Sequence, residues 1–167
     1  AAIARRHDLW LISDEVYDTQ VWEGGHLSPR ALPGMEERTM VIGSMSKSHA
    51  MTGSRIGWII APETAIGPLI DLATAITYGV PGYIQDAALF ALQQGDGLEQ
   101  QVAAPFQRRR DLALRILAEQ STVRAIPAQG AMYLMLDIRA TGLTGDAFAN
   151  QLLDIHKIAV MPGESFG

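Results

Sequence analysis

The fold class is decided by residues 9–17, Leu-Trp-Leu-Ile-Ser-Asp-Glu-Val-Tyr. The first four of these residues form a continuous apolar run, which is typical of a strand buried on both faces within a parallel sheet. Polar residues follow this strand directly, and open α/β sheets bind their ligands at the carboxyl ends of the strands. The stretch therefore predicts an α/β protein that has a binding site beside Asp14.

Two further short strands are predicted downstream of this stretch. They cover residues 39–43 and 56–61, and the intervening sequences are rich in glycine, proline and small polar residues. Residues 43–48, Gly-Ser-Met-Ser-Lys-Ser, follow the second strand, and Arg55 opens the third. We therefore expect a carboxylate, a phenol, a lysine, several hydroxyls and an arginine to converge on one rim of the sheet.

The rest of the chain is predicted to be mainly helical, with a smaller αβ part at its end. Apolar residues recur at helical spacing from residue 64 onward, and Thr144 is a candidate N-cap. The predicted helices cover residues 64–79, 81–95, 98–120 and 144–157, and the predicted strands cover residues 123–126, 131–138 and 158–161. This pattern places a domain boundary between residues 1–96 and 97–167.

Composition excludes several classes of function. The chain has 167 residues, with 13 lysines and arginines against 18 aspartates and glutamates, so its net charge is -5. That charge lacks the basic footprint of a general nucleic-acid binder or of a protein that coats anionic membrane. The apolar runs are far shorter than the ~20 residues that span a bilayer, and the chain has no cysteine. We therefore expect a cytoplasmic protein that acts on small molecules.

Ordered sequence motifs run through the whole chain. They are Ser-Asp-Glu-Val-Tyr at 13–17, Gly-Ser-Met-Ser-Lys at 43–47, Gly-Ser-Arg-Ile-Gly-Trp at 53–58, Gln-Gly-Ala-Met-Tyr at 129–133 and Pro-Gly-Glu-Ser-Phe-Gly at 162–167. Their order and spacing closely resemble the class I/II aminotransferases, the fold-type-I enzymes that use pyridoxal 5'-phosphate (PLP). The resemblance implies an α/β fold that is partial at both ends. Residues 1–96 would be the carboxyl-terminal part of the large PLP-binding domain, and residues 97–167 a connecting helix and an incomplete small αβ domain.

The resemblance also implies roles for three residues at the predicted rim. Lys47 would form the internal Schiff base with the cofactor and then move the α-proton of the substrate. Asp14 would pair with the protonated pyridine nitrogen, and Tyr17 would donate a hydrogen bond to the phenolate oxygen of the ring. The chain has one other lysine, Lys157, so the lysine chemistry has two candidates.

Further residues would bind the cofactor phosphate or reach a second subunit. Arg55 offers a planar fork of donors to the phosphate, and Ser44 and Ser46 would add hydroxyl contacts. Tyr78 stands where the family often reaches into the neighbouring subunit's site; the alternative is a tyrosine that packs at the end of its helix. The resemblance also implies a homodimer.

Other polar and aromatic residues are expected to have structural roles and not catalytic ones. His49 is expected to be a loop residue, although it lies two positions after Lys47. Residues 108–110 and Arg115 are expected to form a solvated helix face, and Tyr133 is expected in the core of the small domain.

The implied function is transfer of an amino group from an L-amino acid to a 2-oxo acid. The family's phosphate loop, ring-stacking aromatic residue and carboxylate-binding arginine match no residue of the chain, so the chain alone is expected to be inactive. Two alternatives use the same fold: a PLP-dependent C-S lyase, and the aminotransferase-like sensor domain of a transcription regulator. The motifs do not identify the amino donor or the acceptor.

Overall fold

The computed structural model describes residues 1–166, and its elements follow the predicted order. The helices are α1 (Ala2–Arg6), α2 (Met45–Ser48), α3 (Glu63–Thr77), α4 (Gly82–Leu92), α5 (Asp96–Leu117) and α6 (Gly145–His156). The strands are β1 (Leu11–Asp14), β2 (Thr39–Ser44), β3 (Gly57–Ile60), β4 (Arg124–Ile126) and β5 (Met135–Asp137). In this part of the chain, none of the helices has the length and apolar character needed to cross a membrane.

The chain divides into two compact units. The first unit is Ala1–Pro105, and the second begins at Phe106. The division falls inside α5, so this helix contributes residues to both units. The domain boundary expected between residues 96 and 97 lies at the start of α5 and stays a prediction.

A three-stranded sheet in the order β1-β2-β3 forms the centre of the first unit. β1 runs parallel to β2, as predicted, and Asp14 is paired with Ile42. β3 runs antiparallel to β2, so the expectation of a parallel sheet is wrong for this strand. Residues 45–56 connect the two strands through the four-residue helix α2 and a 3₁₀ turn, without the full helix that usually joins parallel strands.

The burial of the strands also differs from the prediction. β2 is central and buries its alternate residues Thr39, Val41 and Gly43. β1 alternates between half-buried and exposed residues, and Ile12 keeps 65% of its surface exposed. β3 is exposed along its whole length. Burial on both faces requires a layer of structure on each side of a sheet, and residues 1–166 do not cover these side chains.

The buried core of the first unit anchors α2. Met45 of α2 is buried together with Ala88 and Ala91 of α4, and three half-buried side chains pack against this group: Met51, Ile56 and Leu98. Full burial of a methionine-sized side chain stabilises a fold by about 1.5–3 kcal/mol. The segment that carries Lys47 is therefore held in place through its neighbour Met45.

Two glycines allow β2 and β3 to approach each other closely. A β-carbon on Gly43 would overlap the indole ring of Trp58, its partner in β3. A β-carbon on Gly57 would lie 2.6 Å from the carbonyl oxygen of Gly43. Position 57 therefore requires glycine as long as the strands keep this spacing, and position 43 requires it as long as the indole ring of Trp58 keeps its place.

The second unit contains a two-stranded antiparallel sheet of β4 and β5 and the helix α6. The predicted N-cap of α6 is confirmed, since the hydroxyl of Thr144 accepts a hydrogen bond from the amide of Ala147 at 3.2 Å. The strand predicted at residues 158–161 does not form. The chain leaves α6 at Lys157 in the left-handed conformation, with φ 58, and the following residues do not pair with the sheet of β4 and β5.

Two side chains of the second unit contradict their predicted environments. Tyr133 is 64% exposed, because the residues before β5 form bends instead of the predicted strand and do not place it in a core. Arg110 is not on a solvated face: its side chain is 13% exposed and donates a hydrogen bond to the carbonyl of Ala128 at 2.8 Å. Within the Pro-Gly-Glu-Ser-Phe-Gly motif, Gly163–Phe166 form a 3₁₀ turn, and Gly167 lies outside the described residues.

Candidate active site

The polar segment after β2 folds into the short helix α2, and Ser44 caps it. The hydroxyl of Ser44 accepts a hydrogen bond from the amide of Ser46 at 3.0 Å, which satisfies one of the amide groups left without a partner in the first helical turn. The same hydroxyl lies 2.8 Å from that of Ser46 and donates to the carbonyl of Ile56 at 3.1 Å. Both serines are therefore fixed between the end of β2 and the segment before β3.

Ser44, Ser46 and Arg55 line one cleft of about 620 Å³. Apolar residues of β2, β3 and α3, such as Ile42 and Ile70, supply much of the remaining wall. Arg55 is exposed, and its guanidinium donates a hydrogen bond to the carbonyl of Thr52 at 3.1 Å. Hydroxyl and guanidinium donors that converge on one space are suited to a phosphate group. The structure therefore brings the three predicted phosphate-binding residues together.

Arg55 holds an uncommon backbone conformation. Its φ of 52 lies in the left-handed region, which costs a residue other than glycine about 1–3 kcal/mol. Such strain persists only where the surroundings impose it, and it is frequent at binding sites. The conformation is consistent with a side chain that serves a ligand.

Lys47 and Tyr17 lie close together beside this cleft. The ammonium nitrogen of Lys47 is 6.0 Å from the centroid of the Tyr17 ring, a distance at which the ring face attracts a cation. Both side chains are half-buried. Lys47 directly follows Ser46, which lines the cleft, but neither Lys47 nor Tyr17 lines it.

Asp14 ends β1 at the same edge of the sheet. Its pairing partner in β2 is Ile42, two residues before Ser44. The side chain is exposed, and one carboxylate oxygen accepts a hydrogen bond from the amide of Val16 at 3.3 Å. The structure therefore places the predicted carboxylate on the same rim of the sheet as the two serines.

Tyr78, like Asp14, Tyr17 and Lys47, does not line the cleft. It ends α3 in the left-handed conformation, with φ 58, and is 92% exposed. Its neighbours Thr77 and Gly79 line the cleft, and Tyr78 itself does not. Contact with a second subunit stays a prediction.

Glu15 forms a cluster with His26 and Ser28 that no sequence motif indicated. One carboxylate oxygen of Glu15 accepts a hydrogen bond from the hydroxyl of Ser28 at 2.7 Å, and the other lies 2.8 Å from Nε2 of His26. Burial alone would raise the pKa of Glu15, but the hydrogen bonds from Ser28 and His26 outweigh it and hold this pKa below its ordinary value. The cluster ties the loop after β1 to the motif that contains Asp14 and Tyr17.

His49 follows α2 in a turn, as expected, but its side chain is buried. Its Nδ1 lies 2.8 Å from the hydroxyl of Ser48, and its Nε2 lies 3.8 Å from a carboxylate oxygen of Glu99 in α5. Only 3% of the histidine side chain is exposed. His49 is thus part of the packing that supports α2, which its position in a polar segment did not indicate.

Comparison with known proteins identifies the family. A model of the class I and II aminotransferases matches residues 1–167. The chain belongs to this family. This aminotransferase chain is 46% identical over 167 residues to the arginine–pyruvate transaminase AruH of Pseudomonas aeruginosa and covers 42% of that protein. It is 35% identical over 170 residues to the aspartate aminotransferase of Pyrococcus abyssi and covers 43% of it.

A solved structure confirms the predicted fold class. The aromatic aminotransferase of Pyrococcus horikoshii superimposes on this aminotransferase chain with a TM-score of 0.90 at 33% sequence identity. The superposition covers 99% of this chain and 45% of the solved one. The chain therefore spans less than half the length of the relatives it matches and has the α/β fold of the corresponding part of that enzyme.

The side chains at the rim fit the cofactor of this family, which is PLP. An aldehyde requires an amine, which Lys47 supplies, and a phosphate requires donors such as Ser44, Ser46 and Arg55. A protonated ring nitrogen requires a carboxylate, which Asp14 supplies. Within residues 1–166 there is no group of three or more histidine, aspartate and glutamate side chains that could hold a metal ion.

Proposed function

We propose that the protein containing this chain transfers an amino group from an L-amino acid to a 2-oxo acid, with PLP attached to Lys47. The observation that carries the proposal is the position of Lys47, 6.0 Å from the Tyr17 ring and directly after Ser46 in the cleft. Membership of the aminotransferase family supports the same reaction.

Each residue at the rim would have a separate task. PLP, when bound, supplies a cationic ring that stabilises negative charge on the α-carbon of the substrate. The amine of Lys47 would hold the cofactor and later accept and return the α-proton. The hydroxyl of Tyr17 would donate a hydrogen bond to the ring oxygen.

The remaining residues would orient the cofactor. The carboxylate of Asp14 would keep the proton on the ring nitrogen, because opposite charges at short range favour the charged form of each group. Arg55, Ser44 and Ser46 would bind the phosphate and so fix the ring in front of Lys47.

The assembly and location of the protein are also proposals. We infer a homodimer, because Tyr78 is 92% exposed beside the cleft and could contact a second subunit. A cytoplasmic location and the lack of nucleic-acid partners are inferred from the cysteine-free composition and the net charge of -5.

A transamination assay tests the proposed reaction. It uses the chain within its full-length protein, because the chain covers only 42% of AruH and we expect the chain alone to be inactive. Arginine with pyruvate is the first pair to assay, since AruH is named as an arginine–pyruvate transaminase. A panel of other amino acids and 2-oxo acids follows. The expected result is formation of a new amino acid, measured by mass spectrometry.

The matched variants are Lys47→Ala and Lys157→Ala. The first is expected to lower turnover to background, because the amine that carries the proton is lost. The second removes an exposed lysine that donates to the carbonyl of Asp154 and is expected to leave turnover unchanged. Turnover that survives Lys47→Ala would contradict the proposal. Release of a thiol instead of a new amino acid would favour the C-S lyase, and specific DNA binding without turnover would favour the sensor domain.

A further inference from the structure

Gln20 is an almost fully buried polar side chain next to the candidate site. It is 1% exposed and lies three residues after Tyr17. Burying an amide side chain is unfavourable unless hydrogen bonds replace those it made to water. The hydrogen bonds of Gln20 therefore indicate the role of this buried side chain.

Two hydrogen bonds of Gln20 join two site residues. Its side-chain amide nitrogen donates to the backbone carbonyl of Lys47 at 3.2 Å. Its backbone amide donates to the carbonyl of Tyr17 at 2.9 Å. Since a carbonyl oxygen can only accept a hydrogen bond, the NH₂ end of the side-chain amide must face the carbonyl of Lys47. One residue thus links the turn that carries Tyr17 to the helix that carries Lys47.

The bond to Lys47 restrains the end of a very short helix. α2 has four residues, so its carbonyl groups have few partners within the helix. Ser44 caps its amino end, and Gln20 binds a carbonyl near its carboxyl end. With both ends held, the backbone of Lys47 has little freedom to move relative to Tyr17.

Stability alone does not account for glutamine at this position. The side-chain oxygen of Gln20 has no hydrogen-bond partner in the described part of the chain. An unsatisfied buried polar atom costs at least as much stability as a hydrogen bond of the kind that the nitrogen makes contributes. An apolar side chain of similar volume would therefore be equally stable, but it could not bind Lys47.

We propose that Gln20 is a positioning residue that fixes the amine of Lys47 relative to Tyr17. The role in catalysis rests on the proposed function, whereas the restraint on Lys47 does not depend on a cofactor. A shift of about 1 Å in a reacting group can lower a rate by ~100-fold. The bond from Gln20 therefore has a larger expected effect on the reaction than on the fold.

The test replaces Gln20 with leucine and, in parallel, with methionine in the full-length protein. Gln94→Leu is the matched control, because its amide also donates to a carbonyl, that of Phe90 at 3.0 Å, at an exposed position. The first measurement uses cofactor-free protein and a limiting amount of acetic anhydride. Mass spectrometry then gives the acetylation of Lys47 relative to Lys157. We expect this ratio to change severalfold in both Gln20 variants and to stay constant in Gln94→Leu.

The second measurement uses the same proteins loaded with PLP. We expect kcat to fall by about tenfold to a hundredfold with a smaller change in KM. We also expect a shift in the pH at which the absorbance of the bound cofactor changes. The thermal unfolding midpoint should stay close to that of the unchanged protein. Gln94→Leu should match the unchanged protein in all of these quantities.

Each outcome decides the proposal. An unchanged acetylation ratio in both Gln20 variants would overturn it, as would failure of both variants to fold, because the side chain would then serve packing. A changed acetylation ratio with unchanged kcat would limit the restraint to the free protein and overturn the catalytic role. If the unchanged protein does not bind PLP at Lys47, the proposed function fails, and the acetylation ratio still tests the restraint.

Discussion

Gly57→Ala tests the close approach of β2 and β3 on which the cleft depends. The added β-carbon would lie 2.6 Å from the carbonyl oxygen of Gly43, a backbone atom that cannot turn away. Carbon–oxygen contacts are normally no closer than about 3.3 Å, so the strand must move by roughly 0.7 Å. The pair most affected is Ser44 with Gly57, the last pair of the β2–β3 register.

The expected loss of stability follows from this overlap. Overpacking a well-packed site destabilises a fold by about 1–3 kcal/mol. Replacing glycine with alanine also reduces the backbone freedom of the unfolded chain, which stabilises the folded state by about 0.4–1 kcal/mol. We therefore expect Gly57→Ala to lower the free energy of unfolding by about 1–2 kcal/mol. PLP binding should also weaken, because the two strands would separate at the pair of Ser44 with Gly57, where the cleft contains two of the proposed phosphate-binding residues, Ser44 and Arg55.

Gly53→Ala is the matched control for this substitution. A β-carbon on Gly53 would meet no atom within 4 Å, and the residue lies in the connection between the same two strands. Urea unfolding of the cofactor-free full-length protein, followed by tryptophan fluorescence, should give Gly53→Ala a stability equal to or slightly above that of the unchanged protein. Equal stability of the Gly57 and Gly53 variants would refute the described spacing of β2 and β3.

Three further predictions concern single side chains. Arg55→Lys removes the planar fork and should weaken PLP binding about tenfold or more, while binding of pyridoxal, which lacks the phosphate, should not change in the same titration. Glu15→Gln should destabilise the protein at neutral pH by about 1–3 kcal/mol. Folding lowers the pKa of Glu15, so this carboxylate stabilises the fold fully above its ordinary pKa of 4.5 and loses that effect as the pH falls through the lower pKa of the folded state. The urea unfolding curves of Glu15→Gln and of the unchanged protein should therefore converge in acid. Thr144→Ala removes the hydroxyl that accepts a hydrogen bond from the amide of Ala147 and should lower the free energy of unfolding by about 1 kcal/mol. Urea unfolding followed by circular dichroism measures this loss, and Thr122→Ala is the control because the hydroxyl of Thr122 makes no such cap.

The edge of the sheet that carries the site could be predicted because its signals are local. An apolar run followed by Ser13 and Asp14, and a second one followed by Ser44 to Lys47, indicate strand ends that can be identified without knowing the tertiary structure. The N-cap at Thr144 is equally local. These features depend on a few adjacent residues, and the structure has them where the sequence indicated.

The remaining features depend on contacts between distant residues. The direction of β3 depends on the path of residues 45–56, which form α2 and a 3₁₀ turn and no full helix, and an apolar run does not encode strand direction. The exposure of Ile12 depends on which structure covers the sheet, and hydrophobic periodicity gives no information about that. The links from Gln20 to Lys47 and from His26 to Glu15 span 27 and 11 positions. They become visible only when the loop after β1 has folded onto the sheet.

Mapping the lysine that binds the cofactor tests the central claim most directly. The full-length protein is incubated with PLP, reduced with borohydride, digested and analysed by peptide mass spectrometry. We expect the pyridoxyl group on the peptide that contains Lys47, because the amine of this residue lies 6.0 Å from the Tyr17 ring and the residue itself directly follows Ser46, which lines the cleft. A pyridoxyl group on Lys157 or on another lysine of the full-length protein, with Lys47 unmodified, would contradict it.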